Sequence, residues 1–432
     1  MKEYDICILG AGIAGLYCAR ELSKQYPKAS ICILEKYKFI GGRISTFKHT
    51  VSGIGSAAVS WEAGAGRIHS SHHDVLELLK EYKLGLIPIP EAIEYRTADG
   101  PTPVDFSRYL HSFSSISQLP PTTLSNSTVK DILVQTLGKS MANELVDRYE
   151  YRSELDTLRA DCALEILKKE LGHHSGFYVV QGGFSGLVAG LKRDVEAAGV
   201  KILRQYEAST IEKVSEGSKY RIILKNKSPI HAAKVIVALP RDAVAMMPCF
   251  KNLEILKQVK MRPLLRIYAL FPPMNGATWF NTDYFEGGLK KFICAKPVRY
   301  VIPIDKTKGT MMISYTDGDD AQYWMDRIER YGEAKVVEEC VEQLRCLFPL
   351  FYIPNPIYFK CHPWQDGCSY WTPGNYDIKV ESKKSLQPLP DSMPGVYMCG
   401  ESWAVKQCWV ESALTSAKDL LDQSIFQIGT KK

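Results

Sequence analysis

After Tyr4-Asp5 the chain runs Ile6-Cys7-Ile8-Leu9 without a polar break, which predicts a buried strand. From Ile13 to Tyr26 apolar residues return at three- and four-residue intervals, the spacing of a helix. Ser30 to Glu35 predicts a second strand, so the chain opens as a βαβ unit of about 30 residues. Residues 74–83 again carry helical spacing. From Thr97 to Thr128 the chain is rich in Ser, Thr and Pro, and an exposed excursion is expected there. Residues 129–171 predict mostly helix. A second α/β unit is expected from Phe177. It holds the turn Gln181-Gly182-Gly183-Phe184, a helix to about Ala198 and short strands near Lys201 and Arg221. Lys234 to Leu239 is almost continuously apolar, as in a parallel strand covered on both faces. Residues 250–384 alternate like strands, with one helix from Gln322 to Leu347. The C-terminal part predicts a strand Gly395–Cys399, a Gly-Glu turn and a helix from Val410. No internal repeat is evident.

At 432 residues, 45% hydrophobic and 24% charged, the chain is globular and long enough for at least two domains. The net charge of +6 is spread thinly, the largest clusters being pairs such as Lys168-Lys169 and Lys431-Lys432. That excess suits an anionic small ligand as well as a nucleic acid, and no nucleic-acid partner is predicted. The twelve cysteines include no CxxC, which argues against structural zinc and dithiol exchange; no metal site is expected. Several lie in apolar runs, where a free thiol acts as a small hydrophobe. The expectation is a reduced, cytoplasmic protein, because the chain enters a strand at once and no apolar stretch reaches membrane-spanning length.

Gly10-Ala11-Gly12-Ile13-Ala14-Gly15 is a GxGxxG between the predicted first strand and helix. The first glycine allows the tight turn, the second lets backbone approach a pyrophosphate, and the third allows close helix-strand packing. The N–H groups of the helix start then face the phosphates. Glu35 ends the second strand, twenty residues after Gly15, placed for a ribose, and an acid there argues against a 2′-phosphate. Gly42 and Arg43 follow, offering close backbone approach and a guanidinium for phosphate.

These motifs, with WEAGAGRIH at 61–69, QGGFSGL at 181–187 and GVYMCGESW with WVESA at 395–413, make the sequence similar to the flavin-containing amine oxidases. That group includes monoamine, polyamine and L-amino-acid oxidases. The resemblance implies an α/β fold: an FAD-binding Rossmann-like domain holding extended FAD, with an inserted α+β substrate domain. The predicted FAD domain is discontinuous, residues 1–75, 176–248 and 388–432. A helical substrate-side segment, 76–175, and a sheet-rich substrate domain, 249–387, lie between. By position, the resemblance puts Gly10 to Gly15, Glu35, Lys36, Gly42 and Arg43 around the adenosine and pyrophosphate. Gly64, Ala65, Gly66 and Arg67 run along the flavin, and Ala208 meets adenine through its backbone. Gly400 and Glu401 meet the ribityl region, and Val410 aims its N–H at the pyrimidine end of the ring, where a helix start stabilises negative charge.

The implied reaction oxidises the C–N bond of an amine or amino acid to an imine, with dioxygen reduced to hydrogen peroxide. Trp409 is expected to form one wall of an aromatic cage, with Tyr370 or Trp371 opposite. Arg67 stands where L-amino-acid oxidases carry an arginine for the substrate carboxylate, which favours an amino acid; neutralising FAD phosphate is its other reading. Two departures from the family pattern matter. Arg266 stands where most members place a flavin-side lysine, which casts doubt on fast turnover with dioxygen, and Cys408 replaces the usual glycine before Trp409. Cys368 sits at the position through which monoamine oxidases bond their flavin, but most relatives hold FAD non-covalently and that is expected here. Desaturases, protoporphyrinogen oxidases and flavin-dependent sugar mutases share the cofactor fold, and a non-catalytic flavoprotein is the remaining alternative. His69, His72, His73, His173 and His174 read as surface or cap residues.

Overall fold

The computed structural model describes residues 2–51, 57–90, 92–103, 106–172, 176–214 and 219–423; His173, His174 and the Lys431-Lys432 pair lie outside them. The first sheet runs, in spatial order, Lys201–Arg204, Ile31–Glu35, Lys2–Leu9, Lys227–Val237, Tyr220–Leu224 and Ala208–Lys213. Val396–Met398 also pairs with Lys227–Val237. The pairings around Lys2–Leu9 are parallel, and those of 208–213, 220–224 and 227–237 antiparallel. Val235, Ile236 and Val237 are fully buried, as the apolar run demanded, because helices cover the parallel part. Helix Ile13–Gln25 packs against helices Ser185–Ala197 and Val410–Leu421 in one apolar cluster.

The second sheet runs Tyr358–Trp371, Val259–Leu270, Thr310–Asp317, Tyr300–Asp305, Lys291–Ile293, Ile93–Thr97 and Gly100–Pro103. Along 259–270 the two-residue period sorts the side chains. Leu265, Ile267 and Ala269 enter the cluster that helices 318–331 and 333–347 also fill, whereas Tyr268 and Leu270 join the core of the 106–172 helices.

Three predicted features take a different form. The Ser/Thr/Pro-rich stretch contains helices Phe106–Ile116 and Pro121–Ser125, with Phe113, Ile116 and Leu124 buried; three-residue apolar spacing outweighs the polar composition. The single helix expected over 322–347 is two, Gly318–Tyr331 and Glu333–Leu347, broken at Gly332 with φ of 84°. Phe177–Val180 joins not the first sheet but a small antiparallel one, between Ile68–His69 and Leu86–Pro88. That pairing sets Phe177 opposite His69 and so beside Arg67. Among the described residues no helix is long and apolar enough to cross a membrane, and no cluster of His, Cys, Asp and Glu could hold a metal ion.

Candidate functional site

The glycine turn is shaped by contacts that exclude side chains. Gly10 has φ of 101°, and a Cβ there would stand 2.6 Å from the Ala238 carbonyl oxygen. A Cβ on Gly15 would collide with the Gly10 carbonyl oxygen, so the first turn of helix 13–25 lies against the strand that feeds it. Gly12 differs: its Cβ would meet only Gly42 Cα, at 4.0 Å. Gly41 N donates to Ala11 O at 2.8 Å and brings the two glycine turns together. Ile13 and Ala14 are buried, and Gly12, the N-cap, leaves the helix start without a side-chain cap. Glu35 is buried, its carboxylate accepting from Ala11 N and Tyr37 N, both at 2.9 Å. Tyr206 N donates to Glu35 O at 2.9 Å, so strand 208–213 and Ala208 begin beside that acid. Lys36 is exposed, its Nζ 5.0 Å from the Tyr37 ring centroid.

Further along, Glu401 ties three segments together. Its Oε2 pairs with Arg43 Nη1 at 2.8 Å and accepts from Ser369 Oγ at 2.9 Å, while Oε1 accepts from Cys408 N at 2.7 Å and Ser369 N at 3.1 Å. Arg43 Nη1 also donates to Gly367 O at 3.0 Å. A buried carboxylate with two backbone and two side-chain donors fixes the turn and the strand it faces together. A Cβ on Gly64 would strike the Arg43 carbonyl oxygen, and Ala65 N donates to that oxygen at 2.8 Å. Gly400, with φ of 124°, leads into the turn that ends at Trp409. Within it Trp403 Nε1 and Gln407 Oε1 are buried without a hydrogen-bond partner. Cys408 has φ of 71°, which explains why glycine is usual there. Cys408→Gly is expected to raise the unfolding midpoint, by up to about 1 kcal/mol of stability. A lower midpoint in denaturant melts would contradict this.

Beyond the turn two helix starts meet. Glu411, in the first turn of helix 410–421, accepts from Asp74 N and Val75 N at 3.0 and 2.8 Å and so caps helix His73–Glu81. This presses His72, just before that helix, edge-on against Trp409 with ring centroids 4.8 Å apart. Trp409 is the N-cap of helix 410–421 and leaves the Val410 end without a side-chain cap. The Arg67 guanidinium lies 5.0 Å from the Tyr151 and Phe177 ring centroids and 5.6 Å from that of Trp409. Phe177 is nearly parallel to Trp409, at 22° and 6.1 Å. Tyr370 and Trp371 are 3% and 1% exposed, and Trp371 Nε1 donates to Ala404 O at 3.0 Å.

Arg266 is buried on strand 259–270. Nη1 donates to Glu62 O at 3.1 Å and Nη2 to Tyr315 Oη at 3.4 Å. A Cβ on Gly66 would come within 3.3 Å of Nη1, so Arg266 abuts the 62–66 segment. Burial opposes its charge, but the Tyr315 and Tyr268 hydroxyls outweigh it and hold its pKa above the ordinary value. The sequence reading did not single out Tyr151, Phe177, Tyr315 or Glu62. His72, read as a surface or cap residue, is the N-cap of helix His73–Glu81 and in addition faces Trp409. Glu62 lies within the WEAGAGRIH motif, but nothing local marks Tyr151, Phe177 or Tyr315, because strands and helices far apart in the chain bring them together.

Burial pushes the His72 imidazole down to about 4, with His69 and Arg67 adding to the effect. Burial does the same to His362, also to about 4, helped by Lys360 and Arg266. Neutral His362 Nε2 accepts from Trp61 Nε1 at 2.9 Å. The unfolded chain protonates both near 6.5, so it binds more protons than the folded one below that pH. Their contribution to stability is therefore full above pH 6.5 and lost as pH falls towards 4, by at most about 3 kcal/mol each and less for part-exposed rings. Unfolding free energy should fall across that window, and His362→Asn should flatten the slope; an unchanged slope would remove His362 from the account.

The residues present fit an FAD. An uncapped helix start follows Gly12 beside the second glycine turn, a buried acid ends the second strand, and the 400–409 turn holds unpartnered polar atoms. Sheet, glycine turn and buried Glu35 define a dinucleotide-binding flavoprotein fold. A model of the flavin-containing amine oxidoreductases matches residues 13–419, and the chain belongs to that family. It is an oxidoreductase acting on amines, with a flavin cofactor. The chain is 33% identical to an uncharacterised protein of Acanthamoeba polyphaga mimivirus, over 97% of this chain and 93% of that one. A redesigned putrescine oxidase superposes with a TM-score of 0.73 at 16% identity, covering 97% of this chain and 99% of the other. Wild-type putrescine oxidase bound to putrescine gives 0.70 at 16% identity, covering 98% and 99%. Identities this low show the shared FAD-binding amine-oxidase fold.

Proposed function

We propose that this protein oxidises the C–N bond of an amino acid, or another amine bearing a carboxylate, to the imine, passing electrons to dioxygen as hydrogen peroxide. The observation that carries the reading is the Arg67 guanidinium set among the Tyr151, Phe177 and Trp409 rings. In a putrescine site the ligand brings positive charge at both ends; here the protein itself supplies cations, Arg67 and Arg266. An arginine beside a substrate suits a carboxylate, which it can bind through two parallel hydrogen bonds. The Tyr151 hydroxyl is buried without a hydrogen-bond partner, and burial raises its pKa well above the phenol range, so it stays protonated and able to donate. Arg67 and Tyr151 would hold the carboxylate, while Trp409 and Phe177 enclose the chain of the substrate, Phe177 taking the place that the sequence offered to Tyr370 or Trp371.

This reading assigns residues 1–75, 176–248 and 388–432 to the FAD domain and the segments between them to the substrate side. The FAD, held non-covalently, would supply the acceptor for a hydride. The chain's own residues orient the amine, exclude water from it and keep Arg266 charged beside the 62–66 segment. Water hydrolyses the released imine to a carbonyl compound and ammonia. Anaerobic mixing with amino acids, their decarboxylated amines and polyamines tests the reading. Amino acids should bleach the yellow absorbance fastest and yield peroxide in air. Bleaching by putrescine with none by any amino acid would overturn it.

A further inference from the structure

Two cysteines of different chain segments meet in the turn before helix 410–421. Ser369 N and Cys408 N donate to the same Glu401 oxygen, at 3.1 and 2.7 Å, so the strand end at 368–369 and residue 408 are held side by side. Cys408 Sγ donates to Ser369 O at 3.2 Å, the carbonyl of the residue that follows Cys368, and Cys368 is near enough to add to the rise that burial imposes on the Cys408 thiol. Both are half-buried free thiols, whereas the close pair Cys18 and Cys399, 3.8 Å apart, is sealed in the core. Neither Cys368 nor Cys408 has a part in the proposed oxidation.

We propose that Cys368 and Cys408 form a redox site, in which hydrogen peroxide oxidises the two thiols to a disulfide that fastens the 400–409 turn to strand 358–371. Burial, with Cys368 adding to it, pushes the Cys408 thiol well above its ordinary range, so Cys408 stays protonated as the resolving thiol and Cys368 is assigned to meet the oxidant. The Cys368 thiolate attacks one peroxide oxygen; the O–O bond breaks and the leaving hydroxide takes up the thiol proton as water. Cys408 Sγ then displaces hydroxide from the sulfenic acid, forming the S–S bond and a second water. Two thiols are oxidised and one peroxide is reduced to two waters. Trp409 follows Cys408 directly, so the bond holds the chain entering the aromatic wall.

The source of peroxide in this scheme rests on the oxidase reading, so the test adds hydrogen peroxide from outside. Purified full-length protein is treated with a small molar excess, quenched, denatured and alkylated. Titratable thiols should fall from twelve to ten, and a non-reducing peptide map should show residues 368 and 408 in one linked fragment. Cys368→Ser and Cys408→Ser should each abolish the fragment, while Cys346→Ser, at an exposed thiol, should keep it. An unchanged thiol count, Cys368 recovered as sulfinic acid without a link, or flavin bonded to the Cys368 peptide would each overturn the proposal. Should a serine variant fail to fold, the wild-type map decides alone.

Discussion

Gly15→Ala is expected to yield a colourless protein that is less stable by about 3 kcal/mol or more. The added methyl would meet the Gly10 carbonyl oxygen, which belongs to backbone and has nowhere to go. Gly10 is itself hemmed in by Ala238 O and holds φ of 101°, so the turn cannot open without parting the first strand from Lys227–Val237. Gly12→Ala separates folding from cofactor binding. Its methyl would stand 4.0 Å from Gly42 Cα, and the native φ of −75° suits alanine. That variant should melt close to the wild type and yet lose flavin, because the methyl enters the space read as the pyrophosphate path. Flavin-to-protein absorbance ratios and denaturant melts on both variants give the answer. A yellow, stable Gly15→Ala protein would show that the turn is not built as described.

Replacing Arg67 should raise KM for carboxylate-bearing amines by two to three decades. A charge-assisted hydrogen bond contributes about 1.5–3 kcal/mol, and a bidentate pair lies at or above the upper end. Alanine would also remove the stem packed among three rings, so Arg67→Met is the cleaner variant. Its effect should fall on an amino acid and spare the matching decarboxylated amine, which loses a repelling cation from its pocket. Steady-state KM and kcat on such pairs decide the matter. An equal change for both members would assign Arg67 to packing or to the cofactor rather than to the carboxylate.

The two ends of the site differ in how readable they were. At the dinucleotide end, Gly10, Gly12, Gly15 and Glu35 lie within one βαβ unit, and the contact that demands glycine at position 15 comes from Gly10 in the same turn. Their meaning is therefore carried by spacing along the chain. Trp409 and Val410 were legible for a similar reason: a strand, a Gly-Glu turn and a helix start follow one another in order. At the substrate end nothing local operates. Tyr151 arrives on the helical segment, Phe177 on a strand that pairs with Ile68–His69, and Tyr315 on the strand beside Arg266. His72 faces Trp409 only because Glu411 caps the helix that follows it.

By itself, then, the sequence determined the dinucleotide turn, the acid that ends the second strand and the strand and helix that frame the candidate flavin site, since periodicity and glycine geometry act over a few residues. The tertiary structure alone decided which rings surround Arg67, which carboxylate holds the turn at 400–409 and which two thiols meet. Those neighbours are separated by tens to hundreds of positions. They come together through sheet register and helix packing, which the sum of many burial contacts sets and no short motif encodes.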